Sequence, residues 1–268
     1  QNLQGNPNVQ PEVADGFGVG VVVKPSFLPG FAASIDYYDI KVEGVISFVN
    51  AQNVADYCNI NKVQAYCNNL KYVNGVLNTI DLFYANLNST TAKGLDVEAS
   101  YRLNLEDLSW GMKGDLTLRA MATHYIENVT DDGVTAIDLA GANTGSTPDW
   151  IYRVSAMYKL DPITLNVTMR GVSSGVVSNA YTECTTGCPA SSSPFFTIND
   201  NSLDGATYFD VSASYDFEVA GHTGEAYISI KNLFNTDPVL TGNPANLGAE
   251  NTVAYLQTNR SLYDVKIG

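Results

Sequence analysis

Charge is what this sequence has least of. Only 16% of its 268 residues are Asp, Glu, Lys or Arg, against about a quarter in an ordinary soluble domain. The charge present leans one way, with 28 acidic residues against 14 basic ones and a net of −14. A chain of that sign cannot neutralise phosphates, which argues against nucleic acid as a partner. It also has no basic patch with which to dock on an anionic membrane surface. Long apolar runs are missing as well. No stretch approaches 18 consecutive apolar residues, so no transmembrane helix is encoded. Membrane strands escape that exclusion, because they are short and only half apolar. Histidine is almost absent: His124 and His222 are the only two, neither near a cysteine, and there is no Cys-x-x-Cys. That donor set argues against a metal site, and no cofactor is expected. The opening QNLQGNPNVQPE has no initiator Met, basic segment or apolar leader, so the chain is expected to be a processed product or an excerpt from a longer one.

What is abundant is tyrosine, at 16, with 10 phenylalanines and 22 glycines. Many tyrosines, asparagines and threonines with few charges suit β-structure with a large uncharged polar surface. The four cysteines form two local pairs in polar segments, Cys58 with Cys67 and Cys184 with Cys188. Each pair is expected to be a disulfide stapling a loop, which implies an oxidising, extracellular or periplasm-facing environment.

The stretch Gly205 to Phe217 carries the dominant pattern. Phe209, Val211, Ala213, Tyr215 and Phe217 fall on one parity, and Tyr208, Asp210, Ser212, Ser214 and Asp216 on the other. Strict alternation is the mark of a strand with one apolar and one polar face. Nine segments read this way. They begin at about Ala14–Val23 and Phe31–Val45, then continue through the strand ending in Leu103, the strand from Gly114 to Tyr125, Trp150–Lys159 and Ile163–Arg170. The stretch above follows, then the strand bearing Ala226, Ile228 and Ile230, and finally Ser261–Gly268. No amphipathic helix of three turns stands out.

The connections sort more sharply than the strands. Short links (KPSFLPG, NLEDLSWG, DP and EVAGHTG) alternate with long ones near 46–86, 128–149, 176–206 and 237–257. All long connections therefore leave from one end, and both cysteine pairs fall in them. A soluble sandwich has no reason to keep that sorting and usually turns every 8–12 residues or so. Outer-membrane barrels have short turns on one side and long loops on the other. Aromatics near strand ends (Tyr37, Tyr38, Tyr101, Trp110, Tyr125, Trp150, Tyr158, Tyr215, Phe217) suit interfacial girdles. The reading is all-β: an antiparallel transmembrane β-barrel, with lipid on the apolar face and a wet lumen on the polar one.

Several motifs resemble the barrel of TonB-dependent outer-membrane receptors. Gly5 to Ile46 is similar to that family's Asn-Pro-x-Leu-x-Pro-Glu opening with its Asp-Tyr-Tyr strand. AKGLDVEASYRL (Ala92 to Leu103) resembles its Gly-(Ile/Leu)-Asp-x-Glu strand. IKNLFNTDPV (Ile230 to Val239) and NRSLYDVKIG (Asn259 to Gly268) resemble its last strands. The resemblance implies that 1–268 is the C-terminal portion of such a barrel. It would supply about nine of roughly 22 strands, with the plug domain outside this chain. It implies location in the outer membrane of a Gram-negative bacterium, contact with the lipid bilayer, and partnership with the TonB complex through the plug. It also implies uptake of a scarce small molecule or oligosaccharide: siderophore-iron, cobalamin, haem, a nickel chelate or a sugar chain.

Ligand contacts would come from the long loops, with Tyr57, Tyr66, Tyr84, Tyr181, Phe195, Phe196 and Tyr255 as candidates. Asp96 and Glu98, two apart on one polar face, are expected to pair with Arg102, Arg119 or Arg153 in the lumen rather than to form an acid–base couple. No catalytic residue is expected: His124 near the loop-bearing rim has no Ser or Asp at a recognisable spacing. A passive porin-like channel, and further off a secreted β-sandwich binding protein, stand as the alternatives. Pro7 and Pro11 can only sit at a strand start or turn, and Glu12 beside them can be plain solvated charge.

Overall fold

Alternation on this scale has to produce a sheet, and it does. The computed structural model describes residues 1–86, 89–108, 111–144, 147–191, 194–242 and 250–252. Eight long strands run through them: β1 (Val13–Val23), β2 (Phe31–Glu43), β3 (Ser89–Asn104), β4 (Asp115–Asp131), β5 (Trp150–Leu160), β6 (Ile163–Val172), β7 (Ala206–Val219) and β8 (His222–Ile230). Each pairs antiparallel with its neighbours in sequence, so the sheet is one continuous meander. A ninth, short strand, Ala136–Asp138, folds back on β4. The expected strand at 261–268, and with it Trp110 and Tyr255, lies outside the described residues.

The register keeps the two faces apart. Val21 lies opposite Ile35, Ile35 opposite Val97 and Val97 opposite Ala122. The same row passes through Tyr152 to Gly171 and Thr207. One row along, Val154, Met169 and Phe209 meet, and then Ala156, Val167 and Val211. On the other parity, Ser34, Glu98 and Met121 line up, and Thr168 lies opposite Asp210. A slip of one residue at any pairing would have mixed the faces. Across the seven pairings the one shift is the bulge at Lys93/Gly94, at the loop-side end of β3 and β4, and below it the sheet keeps one apolar face and one polar face.

The apolar face has a measurable height. On β5 it runs from Trp150 to Leu160, ten steps of about 3.3 Å. Tilted by roughly 40°, that is a band of about 25 Å, the apolar height of outer-membrane barrels. Its turn-side edge is aromatic, with Phe31 packed edge-on against Tyr101 at 6.1 Å and Tyr158 donating its hydroxyl hydrogen bond to the Lys113 carbonyl. Above the loop-side edge the same face becomes ionic. Lys93 lies opposite Asp39 and Glu127, 2.8 Å from Glu127 and 3.8 Å from Asp39. Between band and charge, His124 stacks on Trp150 at 4.5 Å with rings nearly parallel. His124 thus belongs to the apolar side of β4, with Leu95 as its neighbour. Tyr38 and Tyr125 leave the expected girdle: both lie opposite Gly94, on the polar face.

One of the short turns is shorter than the sequence implies. EVAGHTG contracts to Ala220-Gly221, both with positive φ (53° and 77°), as a two-residue type I′ hairpin requires. β4 runs six residues past Tyr125, because β3 below its bulge at Lys93/Gly94 keeps pairing with 127–131. The alternation of link lengths survives: 24–30, 105–114, 161–162 and 220–221 lie at one end. The loops we label L1 (44–88), L2 (132–149) and L3 (173–205) leave from the other.

Candidate functional site

Two surfaces can meet a ligand: the polar wall and the loops above it. On the wall, the expected pairing of Glu98 is made by Arg119, whose guanidinium lies 2.8 Å away. Asp96 instead accepts the hydroxyl of Thr123 at 2.6 Å. Glu98, Asp96 and Thr123, with Asp36, line a cleft of about 240 Å³. Further round, Arg170 bonds Asp210 at 2.9 Å and lies over the Tyr208 ring. Asp210 also accepts the backbone N–H of Asn232 at 2.8 Å. That bond fixes the end of β8, where the Asn-Leu-Phe-Asn motif turns away through Asn232 and Asn235 at positive φ.

The opening motif has a defined task. Glu12 accepts the backbone N–H of Ile46 at 2.6 Å, so it is not merely solvated. Asn86 bonds the Gln10 backbone both ways and the Gly44 carbonyl. The segment before β1 is thereby pinned to the base of L1. Further out, Asn2–Gln4 pairs in parallel with Asp81–Phe83.

L1 carries most of the secondary structure that sequence reading missed. Helix α1 (Ala51–Asn59) is capped by Asn50, whose side chain accepts the Asn53 N–H at 2.9 Å. Its buried face, Ala51 and Val54, packs on Leu70 and Leu82 of the hairpin Leu70–Val73/Val76–Phe83. The signals were present: an N-cap asparagine before apolar residues at i, i+3 and i+4, and Asn74-Gly75, the commonest hairpin turn pair, here at φ 52° and 79°. Helix α2 (Gln64–Cys67) is tied to α1 by the Cys58–Cys67 disulfide. The Cys184–Cys188 disulfide closes a small ring in L3.

Of the candidate ligand residues, Tyr57 is only 1% exposed. Its ring lies 5.2 Å from that of Tyr66. Its hydroxyl donates to Asp132 at 2.5 Å and lies 2.9 Å from the Thr135 hydroxyl. Burial first, then the hydrogen bond to the Asp132 carboxylate, pushes the phenol up to about 12, so it stays a protonated donor throughout the neutral range. Tyr84 is half-exposed and meets Phe48 edge-on at 5.7 Å. Tyr181 meets Phe196 the same way at 5.5 Å, and burial raises its phenol. Phe195 is exposed. The structure thus gathers these residues into separate aromatic pairs, one buried and two at the surface, rather than one cluster.

L2 and L3 are joined extensively. The Asn143 amide N–H donates to the Val176 carbonyl at 2.8 Å, and Val176 N–H to Gly141 at 2.9 Å. The fully buried Asn143 side chain donates to Ser173, Thr144 to Val177, and Asn179 to both Asp138 and Ala140. Asn143 Oδ1 has no hydrogen-bond partner among the described residues. It rests against Gly175, where a Cβ would come within 2.6 Å of it.

An eight-strand meander with lipid-height apolar face, polar wall and loops at one end is the geometry of a transmembrane β-barrel wall. The family model described as "TonB dependent receptor-like, beta-barrel" matches residues 1–233, and the chain belongs to that family. Among solved structures it resembles a double mutant of the ferric enterobactin receptor of Pseudomonas aeruginosa, at 14% identity and TM-score 0.56, covering 95% of this chain and 30% of that one. It also resembles the FrpB iron transporter of Neisseria meningitidis (F5-1 variant), at 16% identity and TM-score 0.52, covering 87% and 29%. The chain therefore spans less than a third of the length of these structures, and at such identity the likeness is one of fold. A search of curated proteins finds no match.

Proposed function

We propose that this chain is the C-terminal part of the barrel of an outer-membrane receptor that takes up a scarce ligand with energy delivered by TonB. The observation that carries this reading is the pair of faces kept apart across eight strands below the bulge at Lys93/Gly94, with the three long loops L1, L2 and L3 at one end, in a chain of this family. The apolar face meets lipid. The polar wall, with Glu98–Arg119 and Arg170–Asp210, faces a plug domain belonging to the same receptor. L1, L2 and L3 form part of the extracellular mouth, where Tyr66, Tyr84, Tyr181, Phe195 and Phe196 contact the ligand, joined by Tyr255. Tyr57, being buried, supports the mouth from behind.

The ligand is siderophore-iron, cobalamin, haem or an oligosaccharide, and the loops favour the uncharged members of that group. L2 and L3 contain Asp132, Asp138, Asp149, Glu183, Asp200 and Asp204 but no Lys or Arg. Several of these carboxylates cap backbone N–H groups, as Asp132 does for Thr135 and Glu183 for Asn201, and among the described residues no Lys or Arg forms an ion pair with them. Deleting the receptor should abolish high-affinity uptake of one compound from a panel spanning those classes, and loss of TonB should abolish the same uptake. Uptake that persists without TonB would instead support the passive channel.

A further inference from the structure

Asn74 is the only asparagine in the sequence that precedes a glycine, and the L1 hairpin holds it at its tip. The packing on α1 takes Leu70, Ile80 and Leu82. Beyond Lys71 the ladder is interrupted, and two pairs close the tip, Tyr72 with Leu77 and Val73 with Val76. Tyr72 and Val73 are more than half exposed, and Val76 is 69% exposed. A Cβ on Gly75 would meet nothing within 4 Å, so the turn stands clear of the other described residues. A tip with so little burial, beyond an interrupted ladder, opens at small cost.

We propose that Asn74 is a modification site, where the side-chain amide is lost by intramolecular attack with water as the only co-reactant. Closed, the turn holds Asn74 and Gly75 at φ 52° and 79°. Opened, the chain can bring the Gly75 nitrogen to Cγ of Asn74, and glycine puts no side chain in the way. The N–Cγ bond forms as the Cγ–Nδ2 bond breaks, and ammonia leaves carrying the Gly75 amide proton. Water then opens the five-membered ring at one of its two carbonyls, with no change of oxidation state. Opening at Cγ leaves aspartate, which still suits this turn. Opening at the Asn74 main-chain carbonyl leaves isoaspartate, whose main chain is longer by a methylene. A two-residue turn has no place for that extra atom, so the Val73–Val76 and Tyr72–Leu77 pairs come apart.

Asn201 supplies the internal comparison. It also precedes a small residue, Ser202, but it is buried. Its Nδ2 donates to the Ser178 carbonyl at 3.0 Å, and its Oδ1 accepts the Ser178 N–H at 3.2 Å. Freeing that side chain costs two hydrogen bonds, enough to slow its conversion by roughly tenfold.

Peptide mapping of the full-length receptor in detergent, held at mildly alkaline pH, reads the amide-to-acid mass shift, and enzymatic methylation reports isoaspartate. Asn74 should convert about tenfold faster than Asn201. Isoaspartate should appear in the peptide spanning 72–77, with faster hydrogen exchange there once it has formed. Asn74→Gln should abolish the isoaspartate signal from that peptide, because its longer side chain cannot close the five-membered ring. Conversion of Asn201 as fast as Asn74, or an unchanged Asn74 over the same period, would overturn the proposal.

Discussion

Val167→Arg is expected to remove about 2–4 kcal/mol from the folded receptor in lipid, the cost of a guanidinium at mid-depth on the outer face of a barrel. Val167 lies between Ala156 and Val211 on the apolar face, near the middle of the band bounded by Trp150 and Leu160. Asn166→Arg, one residue earlier, enters the row of Met157 and Ser212 on the polar face, where water receives the charge, and should leave stability nearly unchanged. Urea titration of the receptor refolded in vesicles, followed by its heat-modifiable gel mobility, measures both. Equal losses in the two variants would mean that the faces do not see different solvents.

Gly94→Val should be comparably damaging for a different reason. A Cβ at Gly94 would stand 2.3 Å from the Tyr38 hydroxyl oxygen and 2.6 Å from the His124 carbonyl. The tyrosine tip could move, but the carbonyl belongs to the β3–β4 ladder beside its bulge and cannot. Overpacking of this kind costs about 1–3 kcal/mol, here with loss of the register that places 127–131 against β3. The same titration should show Gly16→Val nearly neutral, since a Cβ there meets only Ile40 at 3.9 Å. Removing Tyr38 as well would relieve part of the Gly94→Val defect and leave the backbone clash.

These two experiments also mark what the sequence could and could not disclose. Strand identity and facing were legible because period-two alternation is local: Val167 and Asn166 declare their sides without reference to any other residue. The sorting of links by length then gave the loop-bearing end. Both disulfides were legible because each closes a short segment. Facing failed where the chain departs from strict alternation. The bulge at Lys93/Gly94 puts Glu127 opposite Lys93, on the side of Leu95 rather than that of Tyr125, and no count along the sequence reveals it. The loops were the least legible part. Tyr57 reads as an exposed loop aromatic until Asp132, 75 residues away, is placed beside it. Asn143 and Glu12 likewise gain their roles from partners in other connections.

The central claim is that the two faces of this sheet meet lipid and an aqueous lumen, and spin-label accessibility along β6 tests it most directly. Single nitroxides placed in turn from Ile163 to Met169, in the full receptor reconstituted in lipid, would be relaxed by oxygen and by a water-soluble nickel chelate. Oxygen should dominate at Ile163, Leu165, Val167 and Met169, and the nickel chelate at Thr164, Asn166 and Thr168, a clean two-residue period. Accessibility to the chelate without alternation, or a period absent from both probes, would contradict a membrane-spanning wall and return the chain to a water-soluble sheet.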